Sequence, residues 1–207
     1  MGNIIGNPSV DFFENQFQKQ VRDKEYELNP FEKLALDYLK GDILDLGAGL
    51  GNLSLEAGRR GHNVLAVEAS VAAVDRINAD AGKEGLAVKA VQADIMKWSF
   101  DRTYDTIIAI GLLMFFRRRT ALKLLQDIQH HVKHGGRAIV NVLIEGTTYL
   151  GMFDPDNYYL FPRNELENHF AGWNILVCCT HEFPAAAGTV KKFATVIAEN
   201  SDRLTKL

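Results

Sequence analysis

The residues best suited to do chemistry stand in one short stretch, where three glycines alternate with other residues. Gly47, Gly49 and Gly51 follow an apolar run, and the acid Asp45 lies two residues before the first glycine. Glycine adopts positive φ at little cost and lets the backbone approach a ligand closely. A helix that begins just after such a turn presents free N–H groups and the positive end of its dipole. The stretch therefore predicts a loop that holds a nucleotide-like cofactor.

Two further acids follow the next apolar runs of the chain. Glu68 lies 17 residues beyond Gly51 at the end of one run, and Asp94 lies just after the following run. The carboxyl ends of parallel strands meet at one edge of a sheet, where open α/β sheets bind ligands. There Glu68, with Ala69 beside it, can accept two ribose hydroxyls, and Asp94 can pair with adenine together with the Ile95 N–H. Taken singly, each acid also fits a structural role, at an exposed strand end or as a turn cap.

Alternating apolar runs and helical patterns supply the elements that must hold these residues. Continuous apolar strands separated by helices are typical of a parallel sheet that is covered on both faces. The connection over 184–188 is too short for a crossover helix, so the last two strands should form an antiparallel hairpin. The sequence predicts strands over 43–46, 63–68, 87–92, 104–110, 137–144, 173–183 and 190–199. The predicted fold class is α/β: a Rossmann-like seven-stranded sheet, mostly parallel, with an antiparallel C-terminal hairpin, flanking helices and an N-terminal helical cap.

The helices complete a single predicted domain over residues 1–207. Residues 1–40 should form the helical cap, ahead of a catalytic core over 41–200. An amphipathic helix is expected within the first 28 residues, and a second should run from Pro30 to Gly41, because proline suits the first helical position. Ser70 is a typical N-cap. Helices are predicted over 53–60, 70–82, 120–132 and 164–170.

Composition narrows the class of protein. Of the 207 residues, 47% are hydrophobic and 24% are charged, and the net charge is −3, as is ordinary for a soluble globular protein. No basic excess points to nucleic acid, and no apolar stretch suits a membrane span. Adjacent Cys178 and Cys179 should point to opposite faces of a strand, which disfavours a disulfide and favours a reduced, cytoplasmic setting. His130 and His134 have a spacing that metal ligands use, but without a third ligand no metal is expected.

The spacing of the glycines separates two kinds of cofactor. A dinucleotide turn needs Gly-x-Gly-x-x-Gly, which would put its third glycine at the position of Asn52. An NAD-linked oxidoreductase is therefore the less favoured alternative, although Glu68 would suit NAD as well. The expected terminal hairpin is also unlike a dehydrogenase sheet.

Several segments together resemble one family, the tellurite-resistance (TehB-type) methyltransferases. Residues 44–54 are similar to its cofactor loop, and residues 100–108, continuing to Phe115, are similar to the segment around its fourth strand. Residues 24–28 and 193–198 also match its pattern, so that the resemblance spans about residues 20–199. It implies a class I S-adenosylmethionine-dependent methyltransferase, with S-adenosyl-L-methionine as cofactor, S-adenosyl-L-homocysteine as product and a small molecule as methyl acceptor.

The resemblance also implies a role for each residue of the cofactor site. The glycine turn and its flanks would surround the methionyl part, the acid that ends the second strand would hold the ribose, and the segment after the third strand would hold the adenine. The end of the fourth strand would lie near the sulfonium, and Tyr26, with Lys24, would close over the cofactor. The implied cofactor-binding residues are Tyr26, Asp45, Gly47, Ala48, Gly49, Asn52, Glu68, Ala69, Asp94, Ile95, Ala109 and Ile110.

The acceptor side departs from that family. Where the family has a His-Arg pair near the end of the sixth strand, His181 is followed here by Glu182. His181 is the candidate base or anion-binding group, because imidazole titrates near neutral pH, and Arg163 is the candidate oxyanion-binding group. The structural alternatives are an exposed strand-end histidine and a solvated helix-start charge. An aromatic acceptor pocket, or core packing, is expected for Phe115, Phe116, Tyr158, Tyr159 and Phe161.

Methyl transfer by in-line displacement is the leading functional hypothesis. The acceptor would be a tellurite- or selenite-like oxyanion, a thiol or a small organic molecule. A module that binds S-adenosylmethionine without turnover is the alternative from another class, because Glu68 and Asp94 argue only for binding. A monomer or a homodimer is expected, with no nucleic acid and no membrane as partner.

Overall fold

The computed structural model describes residues 8–201, and its centre is a seven-stranded sheet. The strands are β1 (Asp42–Leu46), β2 (Asn63–Glu68), β3 (Val88–Gln92), β4 (Tyr104–Ile110), β5 (Val132–Leu143), β6 (Asn174–Pro184) and β7 (Val190–Glu199). Their order in the sheet is β3-β2-β1-β4-β5-β7-β6. The neighbours from β3 to β5 are parallel, whereas β7 is antiparallel to both β5 and β6. The predicted fold class and its C-terminal hairpin are confirmed.

Apolar side chains on both faces explain why the parallel strands lie inside the molecule. In β4, Ile107 packs in one core cluster with Leu125, and its neighbour Ile108 packs in the other with Ile77. Successive side chains of a strand point to opposite faces, so a strand covered on both sides must be apolar at every position. The continuous apolar runs of the sequence are the signature of this burial.

Six helices cover the sheet in the described part of the chain. Ser70 is confirmed as an N-cap, because its hydroxyl accepts a hydrogen bond from the Ala73 N–H at 3.1 Å. Within residues 8–201, no helix is long and apolar enough to cross a lipid bilayer. The helices are α1 (Pro8–Asp23), α2 (Pro30–Ala35), α3 (Asn52–Arg59), α4 (Val71–Glu84), α5 (Arg118–His131) and α6 (Glu165–His169).

Helix α2 starts where expected but is shorter than the sequence predicts. Asn29 caps it, and Pro30 occupies its first turn. The α-helix ends at Ala35 and a 3₁₀ turn follows over Leu36–Tyr38. The chain then leaves the helix because the Lys40 N–H donates to the Thr106 hydroxyl oxygen at 3.0 Å, and that hydroxyl donates back to the Lys40 carbonyl at 2.8 Å. This tertiary pairing with β4 outweighs the helical propensity of the leucines.

Strand β5 begins five residues before the predicted strand, at Val132, and includes the two glycines that were expected to precede it. The Gly135 N–H donates to the Asn200 carbonyl at 2.6 Å, and the Asn200 N–H donates to the Gly136 carbonyl at 2.9 Å. A Cβ on Gly136 would lie 2.8 Å from the Asp105 carbonyl oxygen. Glycine therefore allows the close approach of β5 to β4 here rather than a simple turn.

Helix α1 packs against α4 and reaches the carboxyl edge of the sheet. The Phe17 Cζ atom lies 3.4 Å from the place where a Cβ on Gly49 would stand. The predicted amphipathic helix within the N-terminal segment is thus present, and its aromatic face lies over the glycine turn.

Candidate functional site

The turn between β1 and α3 is held in a form that only glycine adopts easily. Gly47, Gly49 and Gly51 have φ values of +66°, +54° and +72°. The Gly47 N–H donates to the Val67 carbonyl at 2.8 Å, which fixes the turn against β2. A Cβ on Gly51 would lie 2.3 Å from the Ile77 Cγ1 atom, so the missing side chain also lets α4 pack closely. The turn therefore presents bare backbone at the carboxyl edge of the sheet.

Glu68 ties this turn to the start of α4. Its Oε2 accepts the Gly49 N–H at 2.8 Å, and its Oε1 accepts the Ala69 and Ser70 N–H groups at 2.8 and 3.0 Å. The side chain is 8% exposed, and this burial raises the pKa of the carboxyl group, against the lowering effect of the three N–H donors. A carboxylate offers about four acceptor sites, so about one stays free for a ligand hydroxyl.

Asp45 is the second buried acid of the turn. Its Oδ2 accepts the Ser54 hydroxyl at 2.6 Å. Burial raises the pKa of Asp45 to about 7, and the charges of Glu32 and Glu68 act in the same direction. Burial also raises the pKa of Glu32. Burial thus raises the pKa of three carboxyl groups near one turn, those of Glu32, Asp45 and Glu68. A cation bound there would stabilise their charged forms.

Asp94 lies just after β3, next to a 3₁₀ turn over Ile95–Lys97. Asp94 Oδ1 accepts the Met96 N–H at 2.9 Å, and Asp94 Oδ2 lies 3.8 Å from the Lys97 ammonium. The side chain of Ile95 is buried. Glu68 and Asp94 thus occupy the ends of adjacent strands, as the sequence predicts.

The end of β4 supplies an apolar wall beside the turn. Ala109 is fully buried and Ile110 is half-buried. A Cβ on Gly47 would lie 2.9 Å from the Leu112 Cδ1 atom, which places Leu112 directly against the glycine turn. Leu112 therefore adjoins the turn, whereas the roles of Ala109 and Ile110 beside the cofactor stay predictions.

Tyr26 is tied to the start of α3 by a polar network. The Arg76 guanidinium carbon lies 3.8 Å from the Tyr26 ring centroid, and the Tyr26 hydroxyl donates to the Val21 carbonyl at 2.9 Å. Arg76 Nη1 donates to Asn52 Oδ1 at 2.6 Å. Asn52 Nδ2 donates in turn to the Glu27 carbonyl at 3.2 Å. The structure thus brings Tyr26 and Asn52 together beside the turn through Arg76, a residue that the sequence does not single out.

Aromatic rings extend from the turn toward the segment after β5. We call these residues the aromatic cluster. Phe17 lies over Gly49, and successive ring centroids are 4.8 to 5.7 Å apart. Buried Met114, Leu143 and Met152 pack beside them. The cluster consists of Phe13, Phe17, Phe115, Phe153 and Tyr158.

The structure separates the two candidate catalytic residues from each other. His181 lies on the edge strand β6, exposed, with its ring centroid 6.0 Å from that of Phe31. It pairs across the strands with Phe193 and stacks on Phe183 with ring centroids 6.3 Å apart, so the imidazole lies in a separate group of rings with Phe31, Phe183 and Phe193. Arg163 is exposed before α6, and no side-chain hydrogen bond or ion pair joins it to residues 8–201. Of the remaining candidates, Phe116 and Phe161 are buried in the core.

Two features of the site are invisible in sequence patterns. Asn141 is fully buried on β5, and its Oδ1 atom finds no hydrogen-bond partner among residues 8–201. The contacts of Phe13 and Phe17 depend on how α1 docks. The alternation of polar and aromatic residues near the N-terminus predicts an amphipathic helix, but it does not say what that helix covers.

Within residues 8–201, no group of three His, Cys, Asp or Glu side chains could hold a metal ion.

Comparison with known protein families identifies the segment that carries the turn. A family model described as a methyltransferase domain matches residues 43–136. The chain is 28% identical to Hemagglutinin 1 of Eikenella corrodens over 162 residues, which are 75% of this chain and 53% of that protein. It is 26% identical to the ubiquinone biosynthesis O-methyltransferase of Rickettsia conorii over 113 residues, which are 55% of this chain and 38% of that protein. The chain thus spans about half, or less, of the length of these relatives.

Among solved structures, TehB from Haemophilus influenzae has a similar fold. The TM-score is 0.71 at 20% sequence identity, over 93% of this chain and 67% of that one. At this identity the likeness concerns the fold alone.

Proposed function

We propose that this chain, which carries a class I S-adenosylmethionine-dependent methyltransferase domain resembling TehB, transfers a methyl group from S-adenosyl-L-methionine to a small-molecule acceptor. The observation that carries the proposal is the bond from the Gly49 N–H to the Glu68 carboxylate at 2.8 Å, at the edge where β1 and β2 end. It sets an acid able to bind hydroxyls beside a turn of bare backbone. The candidate acceptors are a tellurite- or selenite-like oxyanion, a thiol and a small organic molecule.

The residues present fit this cofactor. The free acceptor site of Glu68 suits a ribose hydroxyl, and Ala69 continues the same wall. Asp94 and the Ile95 N–H suit the amine and ring nitrogens of adenine. A positive group near Asp45 would compensate the carboxylate that burial disfavours, as the ammonium of the methionyl part does. We therefore assign to this cofactor the twelve residues predicted from the sequence.

The chemistry that the cofactor supplies is a methyl group activated by a positively charged sulfur. The protein must hold the acceptor in line and exclude water. Leu112, just after β4, lies against Gly47, and Phe17 covers Gly49, so apolar side chains flank the turn. We keep His181, an exposed residue of β6 beside Phe31, as the candidate base or anion-binding group, and exposed Arg163 as the candidate oxyanion-binding group.

Calorimetry with the purified chain tests the proposal. S-adenosylmethionine and S-adenosylhomocysteine should bind, and NAD should not. The reverse selectivity would contradict the cofactor assignment. Release of S-adenosylhomocysteine should then be measured with selenite, tellurite, thiols, amines and small acids as acceptors. Binding without release across this panel would favour the sensing module over the enzyme.

We extend the proposal to the setting of the protein. The net charge of −3 and the absence of a basic excess support a small molecule rather than a nucleic acid as the partner. The two cysteines are free, which supports a reduced, cytoplasmic setting. A single domain that acts as a monomer or a homodimer remains our expectation, and light scattering would distinguish the two.

A further inference from the structure

One buried oxygen of the sheet has no hydrogen-bond partner among residues 8–201. The Asn141 side chain is fully buried, and its Nδ2 donates to the Thr195 hydroxyl oxygen at 2.9 Å and weakly to the Ala194 carbonyl at 3.4 Å. A threonine hydroxyl can accept or donate, whereas the Ala194 carbonyl can only accept, so it is the carbonyl that sets the orientation of the amide. Its Oδ1 atom is left with no hydrogen bond among residues 8–201. Buried polar atoms are nearly always paired, so an orphaned oxygen marks a place where a ligand group can donate.

The strand register places this oxygen beside the proposed donor site. Asn141 pairs with Ile110 of β4 on one side and with Thr195 of β7 on the other. Side chains two apart on a strand share a face, so Asn141 and Leu143 point the same way. Leu143 is buried beside Phe153 of the aromatic cluster. The Asn141 side chain thus lies on the sheet face that carries Leu143, and next to Ile110, which is proposed to adjoin the sulfonium.

The rings of the aromatic cluster form a continuous uncharged row that starts at the glycine turn. Phe13 meets Phe115 edge to face at 5.2 Å, and Phe115 meets Phe153 at 5.0 Å. Phe13 and Phe115 are half-buried, so this junction reaches the surface. A nearby cation, the ammonium group of Lys191, lies over the ring of Tyr149, with its Nζ 4.5 Å from the ring centroid. Tyr149 packs beside the cluster but does not belong to it. The row therefore offers π-faces and one acceptor oxygen, and no cluster ring carries a positive charge.

We propose that Asn141 and the aromatic cluster form the acceptor site, and that the acceptor is a neutral amine on an apolar, ring-sized body. This inference rests on the proposed methyltransferase function and names its substrate class. An amine N–H donates to Asn141 Oδ1, while the apolar body separates Phe13 from Phe115 and packs between them. An S–H group is a weak donor, and an oxyanion would meet an oxygen rather than N–H donors.

The reaction balances without a protein base. The nitrogen lone pair forms the new N–C bond to the methyl carbon, the bond from that carbon to the sulfonium sulfur breaks, and its electron pair stays on sulfur. The product is a methylammonium ion, which the aromatic faces stabilise by cation–π attraction. Its proton then passes to water. A hydroxyl acceptor would need a base, and an amide oxygen is too weak to serve as one.

A set of ligands with one common body tests the chemical class. Benzylamine, benzyl alcohol and benzyl mercaptan differ only in the nucleophile, and selenite represents the oxyanions. Calorimetry on the protein loaded with S-adenosylhomocysteine should show benzylamine binding at least about tenfold tighter than the others. Turnover of benzylamine should rise with pH up to the pKa of the amine itself. Faster turnover of the mercaptan, the alcohol or selenite would overturn the proposal.

Substitutions at the orphaned oxygen test the residue. Asn141→Leu should weaken benzylamine binding about tenfold and leave the affinity for S-adenosylhomocysteine unchanged. Asn141→Asp keeps an oxygen there and should restore binding. Thr195→Ser is the matched control, because it changes the neighbouring side chain but keeps the hydroxyl that accepts from the amide nitrogen, and so leaves the oxygen in place. Equal benzylamine affinity in the wild type and Asn141→Leu would refute the assignment.

A second pair of variants keeps the test decisive if position 141 does not tolerate change. Phe115→Ala removes a half-exposed ring of the cluster and should raise the KM for benzylamine several-fold. Phe100→Ala removes a ring that stacks on His131, away from the cluster, and should not change it. Failure to bind S-adenosylhomocysteine would refute the methyltransferase proposal and this one together. Intact binding of S-adenosylhomocysteine with no response to amines would refute only the acceptor class.

Discussion

The glycine turn and the aromatic cluster adjoin each other but are built in opposite ways. Around the turn, charged groups are buried and held by directional bonds: Glu68 accepts three backbone N–H groups, and Asp45 accepts the Ser54 hydroxyl. In the cluster, aromatic rings from separate segments contact one another, and Asn141, on the sheet face that carries Leu143, keeps an unpaired oxygen within the described chain.

This difference follows from what each region must bind. The methyl donor is the same molecule in every turnover, so hydrogen-bonding groups that are already fixed in place bind it well. Such preorganised groups lose little entropy on binding. Ring contacts are weakly directional and can rearrange around bodies of different shape. We therefore expect substitutions at the turn to affect folding and cofactor affinity together, and substitutions in the cluster to affect mainly the acceptor.

The largest effect should come from filling the space behind the turn. Gly51→Ala puts a Cβ at a φ of +72° and 2.3 Å from the Ile77 Cγ1 atom. Left-handed strain and overpacking together should lower the free energy of unfolding by about 2–5 kcal/mol. Urea denaturation measures it. Gly61→Ala is the control, since its φ is +86° but nothing lies within 4 Å of the new Cβ, so only the strain remains.

Removing the buried charge beside the turn should separate stability from function. The folded-state pKa of Asp45 is about 7, above its ordinary 3.8, so between these values the folded protein holds a proton that the unfolded chain has lost. Asp45 alone should therefore lower the free energy of unfolding of the wild type by up to about 4 kcal/mol as the pH rises from 4 to 8.

Asp45→Asn should remove most of this fall and make the protein more stable at pH 8, while it weakens S-adenosylmethionine binding. The measurements are urea denaturation at pH 5 and pH 8, with calorimetry for the cofactor. A variant that follows the same pH dependence as the wild type would show that Asp45 is not the titrating group.

Glu68→Gln should weaken cofactor binding by about 1–3 kcal/mol, because an amide accepts fewer of the three N–H bonds and carries no charge. Calorimetry with S-adenosylhomocysteine measures the loss. Glu84→Gln is the matched control, because that carboxylate lies on α4 and pairs with Arg59 at the surface. Equal affinities in the two variants would remove Glu68 from the site.

The smallest effect should come from the helix that covers the turn. Phe17→Ala removes the ring that lies over Gly49 and should speed release of S-adenosylhomocysteine about fivefold. This is the effect expected if the ring stabilises the bound molecule by about 1 kcal/mol. Stopped-flow fluorescence measures the rate, and Phe17→Leu, which keeps an apolar cover, should lie between. An unchanged release rate would mean that α1 does not gate the cofactor.

Much of the fold follows from local patterns. Buried parallel strands must be apolar on both faces, so their positions appear as continuous runs, and a five-residue connection after Phe183 leaves no alternative to a hairpin. Helix ends are less well determined. The early end of α2 depends on hydrogen bonds between Lys40 and Thr106, which are far apart in the chain, and the extension of β5 depends on Asn200.

The candidate site divides in the same way. Its donor half is made of residues close together in sequence or at successive strand ends, so spacing alone brings Asp45, Gly49, Glu68 and Asp94 to one edge. The roles of His181 and Arg163 stay predictions, and the structure adds only that they lie apart, at a sheet edge and on an exposed segment.

The sequence by itself determined the sheet, the glycine turn and the acids around it, because strand period, glycine spacing and helix caps are local properties. Only the tertiary structure decided what faces the turn: that Phe17 covers Gly49, that Phe13 meets Phe115, and that the oxygen of Asn141 is buried without a partner among residues 8–201. Those relations join segments more than 30 residues apart, and they arise from how helices dock on the sheet, which no local pattern encodes.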